Sequence, residues 1–279
     1  MKLLVVGIAV LDQVHYMDRL PRGGAKHRSH GLARIGGGCA ANAAVGAARL
    51  GAEVTLMTRL GRDAAGDELA AMLEVSGVTL AAARGGRTPQ SSVMVDEMGE
   101  RMIVNFPGAD LPEAPPPLPA FDAVLVDCRW PEAAEAALLA ARSVGRPGIL
   151  DGEKFTPEPL AAFASHVVFS AAGLRDFTGR DDLEAALTQA AGRLPGWVAY
   201  TDGPDGVHWH GGPHVPAPRV AAVDTLGAGD LWHGAFALAL GRGEGLDAAS
   251  DFANRAAAIK CTRAGGWEVY PTARDLEGT

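Results

Sequence analysis

Asp224-Thr225-Leu226-Gly227-Ala228-Gly229-Asp230, running into the apolar stretch Leu231 to Leu240, is the segment on which the reading of this chain turns. Three small residues stand where a loop becomes a helix, expected over about 228–241. Bare backbone N–H groups at the positive end of a helix converge readily on an anion. A carboxylate in the same place, Asp230, would repel a resting anion. The combination makes chemical sense if Asp230 takes a proton from an attacking hydroxyl while the N–H groups hold charge on a transferring phosphoryl group. The plainer alternative is a glycine-rich turn followed by an ordinary acidic first-turn residue. Asp224 and Thr225 ahead of it, and the small-residue helix behind, weigh against that alternative.

Upstream of this box the chain alternates strand and helix. Leu3 to Gly7 is a continuous apolar run of the kind buried on both faces of a parallel sheet. Gly36-Gly37-Gly38 opens a run of small residues, Cys39 to Leu50, that reads as a helix closed by Gly51. Strands are expected at 54–60, 121–127, 148–151, 166–169 and 197–201, and helices at 63–76, 132–143, 158–165 and 181–193. Ser91 to Val95 and Arg101 to Phe106 flank a turn-like Glu97-Met98-Gly99-Glu100 and read as a hairpin. Pro112 to Pro119 is a stiff connector. Val207 to Val223 reads as irregular antiparallel structure, and a last helix is expected at about 246–263. This is an α/β pattern, a mostly parallel sheet with helices on both faces. The segments that break the rhythm, about 11–33 and 88–107, are placed as a small second sheet.

Composition narrows the function. With 279 residues, the chain buries a large core without staples. A net charge of −8 argues against nucleic acid or an anionic membrane as a partner. No apolar run is long enough to span a bilayer, and Met1 to Gly7 reads as a strand rather than a signal segment. Cys39, Cys128 and Cys261 are odd in number and far apart, as expected of thiols in a reducing cytoplasm. No Walker-type phosphate loop is present, nor a G-x-G-x-x-G between an N-terminal strand and a helix.

The D-T-x-G-A-G-D box joins other segments: the triple glycine at the first helix, Arg59-Leu60-Gly61-Arg62-Asp63 with Gly66, Phe252-Ala253-Asn254-Arg255-Ala256-Ala257 and Cys261-Thr262-Arg263-Ala264-Gly265. Together they resemble the ribokinase-like, or PfkB, carbohydrate kinases over essentially the whole chain. The resemblance implies one kinase domain over 1–279, a ribokinase-like three-layer sandwich with a β-sheet lid, and transfer of the γ-phosphoryl group of ATP to a sugar hydroxyl. It places Asp230 as catalytic base and Gly227, Ala228 and Gly229 as anion hole. Asp12 matches a carboxylate that grips sugar hydroxyls, with Gly37, Gly38 and Asn42 beside the sugar. Thr201 and Gly203 match the nucleotide side and Asn254 the adenine pocket. Asp224, Thr225 and the 261–266 stretch match segments that hold a monovalent cation such as K⁺.

Two departures stand out. Cys39 replaces an asparagine near the sugar, and a thiol is a weak hydrogen-bond partner. Ser170-Ala171-Ala172-Gly173 stands where the family carries N-x-x-E near Mg²⁺, leaving the metal ligands unknown, with Asp151 and Glu153 as candidates. Within the family the chain resembles 6-deoxy-6-sulfofructose kinases, then ketohexokinases. That resemblance implies a clasp of Lys26, Asn105 and Arg129 around a sulfonate, with phosphorylation at O1. The chemistry is apt, since Arg and Lys give charge-assisted donors to an anion's three oxygens. The alternatives are a kinase for a neutral sugar (fructose or ribose) or a nucleoside, and a sugar- or nucleotide-binding regulatory protein that has lost catalysis. The exposed strand edges expected of the lid imply a homodimer through it. His208, His210 and His214 could seat a metal, but their spacing fits no closed motif, and exposed hairpin histidines are the expectation. Trp232 and Phe236, four apart on a helix, are expected in the core.

Overall fold

The computed structural model describes residues 1–277. The nine-stranded sheet is built on β1 (Lys2–Val6), whose apolar residues split by parity as a strand's pleat requires. Leu3 and Val5 face one helical layer, Leu4 and Val6 the other. Seven strands run parallel: β1, β4 (Glu53–Leu60), β5 (Val78–Arg84), β8 (Ala123–Val126), β9 (Gly148–Gly152), β10 (His166–Ser170) and β11 (Trp197–Thr201). β12 (Val207–Trp209) and β13 (His214–Val215) add an antiparallel edge, so the sheet reads β13-β12-β11-β10-β9-β8-β1-β4-β5.

One face is covered by α1 (Cys39–Arg49), α2 (Ala64–Val75), α7 (Ala228–Gly241) and α8 (Leu246–Cys261). The other is covered by α3 (Pro131–Ser143), α4 (Glu158–Ala161), α5 (Ala171–Thr178) and α6 (Leu183–Arg193), and α9 (Ala273–Leu276) ends the described chain. Three expectations need correcting. β5 is not apparent in the sequence, because Ala81-Ala82-Ala83 carries little strand propensity and takes its conformation from pairing with Met57 to Arg59 of β4. The single expected helix at 181–193 is preceded by α5, which Ser170 caps by accepting from the Gly173 N–H at 3.0 Å. The helix expected over 158–165 is only one turn. Trp232 and Phe236 are buried and stacked, 5.0 Å between ring centroids.

The small sheet has four strands in the order β3-β2-β6-β7: β2 (Val10–Tyr16), β3 (Gly31–Gly37), β6 (Gln90–Val95) and β7 (Arg101–Phe106). β2 and β6 pair in parallel, which sets Asp12 abreast of Ser91, and the β6–β7 hairpin sets Ser91 abreast of Asn105. Residues abreast in a sheet share a face. Among the described residues no helix is long and apolar enough to cross a membrane.

Candidate active site

Residues from several loops meet beyond the C-terminal ends of the parallel strands, where open α/β sheets place their ligands. After β8, Asp127 is buried and ties two loops together. Its Oδ2 accepts from Ile8 N and its Oδ1 from Arg129 N, both at 2.8 Å. Gly7 must be glycine, because a Cβ there would lie 2.2 Å from the Asp127 carboxylate. Likewise a Cβ on Gly37 would meet Asp12 Oδ2 at 2.3 Å, and one on Gly38 (φ 95°) would meet Ile8 O at 2.6 Å. These glycines let the head of α1 approach both β2 and the end of β1.

α1 and α7 cross through small residues: a Cβ on Gly234 would strike Ala43 O at 2.3 Å, and one on Gly46 would strike Leu231 at 2.4 Å. This close approach sets Asn42 against Asp230. Asn42 Nδ2 donates to Asp230 Oδ2 at 2.7 Å, and its Oδ1 accepts from Trp267 Nε1 at 2.7 Å. Each end of the Asn42 amide thus makes one hydrogen bond, and the bond to Asp230 fixes the two side chains against each other.

Burial pushes the Asp230 carboxyl up to about 6, against the lowering pull of the Asn42 hydrogen bond and of His233. Asp230 lies with Asp151 and Cys39 in a group whose ligand atoms are all within 4.8 Å of one another. Asp151 is buried, its Oδ1 has no hydrogen-bond partner, and burial with the neighbouring Asp230 raises its carboxyl well above the ordinary range. His233, which the sequence reading passed over, is buried below them. Its Nδ1 lies 2.9 Å from Gly229 O and its Nε2 3.1 Å from Val168 O, with Asp151 Oδ1 at 3.5 Å. Its signal was a lone polar ring in the otherwise apolar Leu231–Leu240 run.

At the head of α7, Gly227 is left-handed (φ 70°) and the Ala228 N–H is tied to Thr225 O at 3.2 Å. The N–H groups of Gly229 and Asp230 belong to the first helical turn, which has no intrahelical acceptor for them. The space over Gly229 is open, with nothing within 4 Å of an added Cβ. Ala228 and Gly229 also line a cavity of about 460 Å³ shared with Thr201, Gly203, Thr225 and Asn254. Asn254 lines the cavity and is anchored at both ends: its Oδ1 accepts from Trp232 Nε1 at 2.7 Å and its Nδ2 donates to Val215 O at 2.9 Å.

On the small sheet, burial raises the Asp12 carboxyl, partly offset by the Ser91 hydroxyl. Asn105 Nδ2 donates to the same Ser91 hydroxyl at 3.2 Å. Arg129 instead lines a separate cavity of about 150 Å³ with Arg59, Pro89 and Pro107. Arg59 donates to Arg129 O at 2.7 Å and lies over the Trp130 ring. Lys26 is exposed in the segment between β2 and β3 and makes no hydrogen bond or ion pair among the described residues. Among the described residues no hydrogen bond joins the side chains of Lys26, Asn105 and Arg129, the three residues of the expected clasp. His208 stacks between Tyr200 and His214, and these histidines belong to no metal-binding group among the described residues.

The model of the pfkB family of carbohydrate kinases matches residues 1–273. The chain belongs to the pfkB carbohydrate kinase family. A crystal structure of a candidate ribokinase from Agrobacterium tumefaciens superposes with a TM-score of 0.90 at 36% identity, covering 99% of this chain and 96% of that one. The Arabidopsis thaliana ribokinase complexed with ribose and ATP superposes with a TM-score of 0.85 at 25% identity, covering 99% and 97%. The ribokinase of Bacillus subtilis is 36% identical over 97 residues, 34% of this chain and 33% of that protein's length. The pfkB fold accounts for both sheets and the convergence of their loops.

The ionisation of Asp230 gives the pfkB site a testable acid limb. With Asp230 as the proton acceptor expected from the sequence, only its carboxylate form would act, and kcat/KM is expected to fall about tenfold per pH unit below pH 6. A pH–rate profile flat down to pH 5 would remove Asp230 as the titrating group.

Proposed function

We propose that this chain is an ATP-dependent kinase that phosphorylates the primary hydroxyl of a small sugar. The observation that carries the reading is Asp230: a carboxylate raised to about 6 and hydrogen-bonded by Asn42, on a helix whose first residues, Ala228 and Gly229, line the 460 Å³ cavity. ATP fits that cavity, with its γ-phosphate over Gly229 and its base end toward Asn254. The sugar fits between Asp230 and Asp12, whose carboxylate abuts Gly37, two residues from Cys39. In this mechanism Asp230 takes the hydroxyl proton, the sugar oxygen bonds to the γ-phosphorus, and the bond to the β–γ bridging oxygen breaks as ADP leaves. The Gly229 and Asp230 N–H groups take up the charge on the phosphoryl oxygens.

Asp151 suits Mg²⁺, because it offers a buried oxygen that accepts no hydrogen bond, whereas the Cys39 thiol is a soft donor that burial keeps protonated. Mg²⁺ bound there would shield the charge of the ATP phosphates. The small sheet serves as a lid in this reading, closing Asp12 and Asn105 over the sugar. Exposed Leu32, Ile103 and Val104 on its edge strands support pairing with a second copy.

For the acceptor, the Arg59–Arg129 cavity supports a ketohexose with an anionic far end, such as 6-deoxy-6-sulfofructose phosphorylated at O1. A second reading, a neutral sugar such as ribose, is supported by the relatives named ribokinases. Coupled ADP release with 6-deoxy-6-sulfofructose, fructose, ribose and adenosine separates them. On the first reading Arg129→Ala raises KM for the sulfonated sugar by about tenfold or more and leaves fructose unchanged. Equal effects on both sugars, or preference for a neutral one, would discard the anionic end.

A further inference from the structure

Lys260 is 0% exposed, among the largest fully buried side chains of the protein. It sits in the last turn of α8, and its ammonium is directed at the loop that feeds the anion hole. Its Nζ lies 3.0 Å from Asp224 Oδ2 and donates to Asp224 O at 3.1 Å. The same loop is sewn to α8 by Val223 N and Asp224 N, which donate to Cys261 O at 2.7 and 3.2 Å. On its other side, Asp224 Oδ1 accepts from Leu226 N at 3.0 Å and from Arg101 Nη2 of β7 at 2.8 Å. Burial alone would raise the Asp224 carboxyl, but the Leu226 N–H, Lys260 and Arg101 outweigh it and hold it below the ordinary range.

This is the junction at which a monovalent cation was expected from the resemblance, between Asp224 and the 261–266 loop. The residues present do not suit one. The carboxylate and the carbonyl that would face the ion already face an ammonium, and a second positive charge at that spot would be repelled at close range. Burying a lysine fully is costly unless it is paired, so a Lys260 held this way points to a purpose for the charge. We propose that the Lys260 ammonium is a tethered substitute for the monovalent cation, holding the Asp224–Gly229 loop in its anion-binding shape without added K⁺. Lys260 is then a positioning residue: it touches no reacting atom and acts through Asp224 on the Gly227–Gly229 turn.

The inference rests on the kinase reading, and two readouts keep the two apart. The first is turnover of the native chain in potassium chloride against choline chloride at equal ionic strength; it is expected to be the same in both. Lys260→Ala opens room beside Asp224, and is expected to lose at least about tenfold in kcat in choline chloride and to regain most of it in potassium or ammonium chloride. The second is thermal unfolding, which needs no substrate: K⁺ is expected to raise the Tm of Lys260→Ala and leave the native Tm unmoved. Activation or stabilisation of the native protein by K⁺ would overturn the proposal. So would a folded Lys260→Ala that neither K⁺ nor NH₄⁺ rescues. If Lys260→Ala does not fold, Lys260→Met keeps the volume, and the salt series on the native chain decides alone. If no sugar is turned over, the kinase reading fails while the unfolding series still decides the cation.

Discussion

Asp230→Asn is expected to lower kcat by about a thousandfold while ATP still binds. The substitution keeps the shape at the head of α7, and its amide oxygen can still accept from Asn42 Nδ2, so the loss reports the proton acceptor and not the scaffold. A second readout guards against misfolding. Asp230 has a folded pKa of about 6 against the ordinary 3.8, so its favourable contribution to stability is complete below 3.8 and is lost as pH rises through 6. Asparagine carries no such loss. The variant is therefore expected to be at least as heat-stable as the native chain at pH 8, though nearly inactive. Retention of most of the activity would remove Asp230 from the chemistry. A large fall in Tm would mean that the carboxylate is structural.

Gly227→Ala is expected to be strongly damaging for a change of one methyl group. Gly227 is left-handed at φ 70°, which costs an L side chain roughly 1–2 kcal/mol. Its new Cβ would also lie 2.3 Å from Tyr270 Oη, and Tyr270 is buried, with its backbone carbonyl held by Arg49 at 2.7 Å. Together the two terms are expected to cost about 3 kcal/mol, and a shift of the turn of about 1 Å is worth roughly a hundredfold in kcat. Adding Tyr270→Phe removes the hydroxyl and is expected to restore the steric part but not the backbone part. A double variant no better than Gly227→Ala would place the whole cost in the backbone.

Much of the site is legible in the sequence because it is local. The proposed anion hole and base lie within four consecutive residues, Gly227 to Asp230, and the helix they begin is marked by the apolar run behind them. The parallel sheet is legible for a similar reason: strands buried on both faces, such as Leu3 to Gly7, leave unbroken apolar runs between helical stretches. β5 is not legible, because three alanines carry no strand pattern and only the edge of β4 imposes one.

What only the tertiary structure decides is which side chains are free to act. From the sequence, Asn42 and Asn254 are amides in the right places. In the fold each is anchored at both ends, Asn42 by Asp230 and Trp267, Asn254 by Trp232 and Val215. The segment expected to hold a cation has the Lys260 ammonium against Asp224, and no hydrogen bond joins the side chains of Lys26, Asn105 and Arg129 among the described residues. The physical reason is one of range. Backbone conformation and strand or helix burial follow from neighbours a few residues apart. The partner of a polar group is whichever group lies within 3 Å after folding, here from as far away as Trp267 to Asn42, and no local pattern carries that.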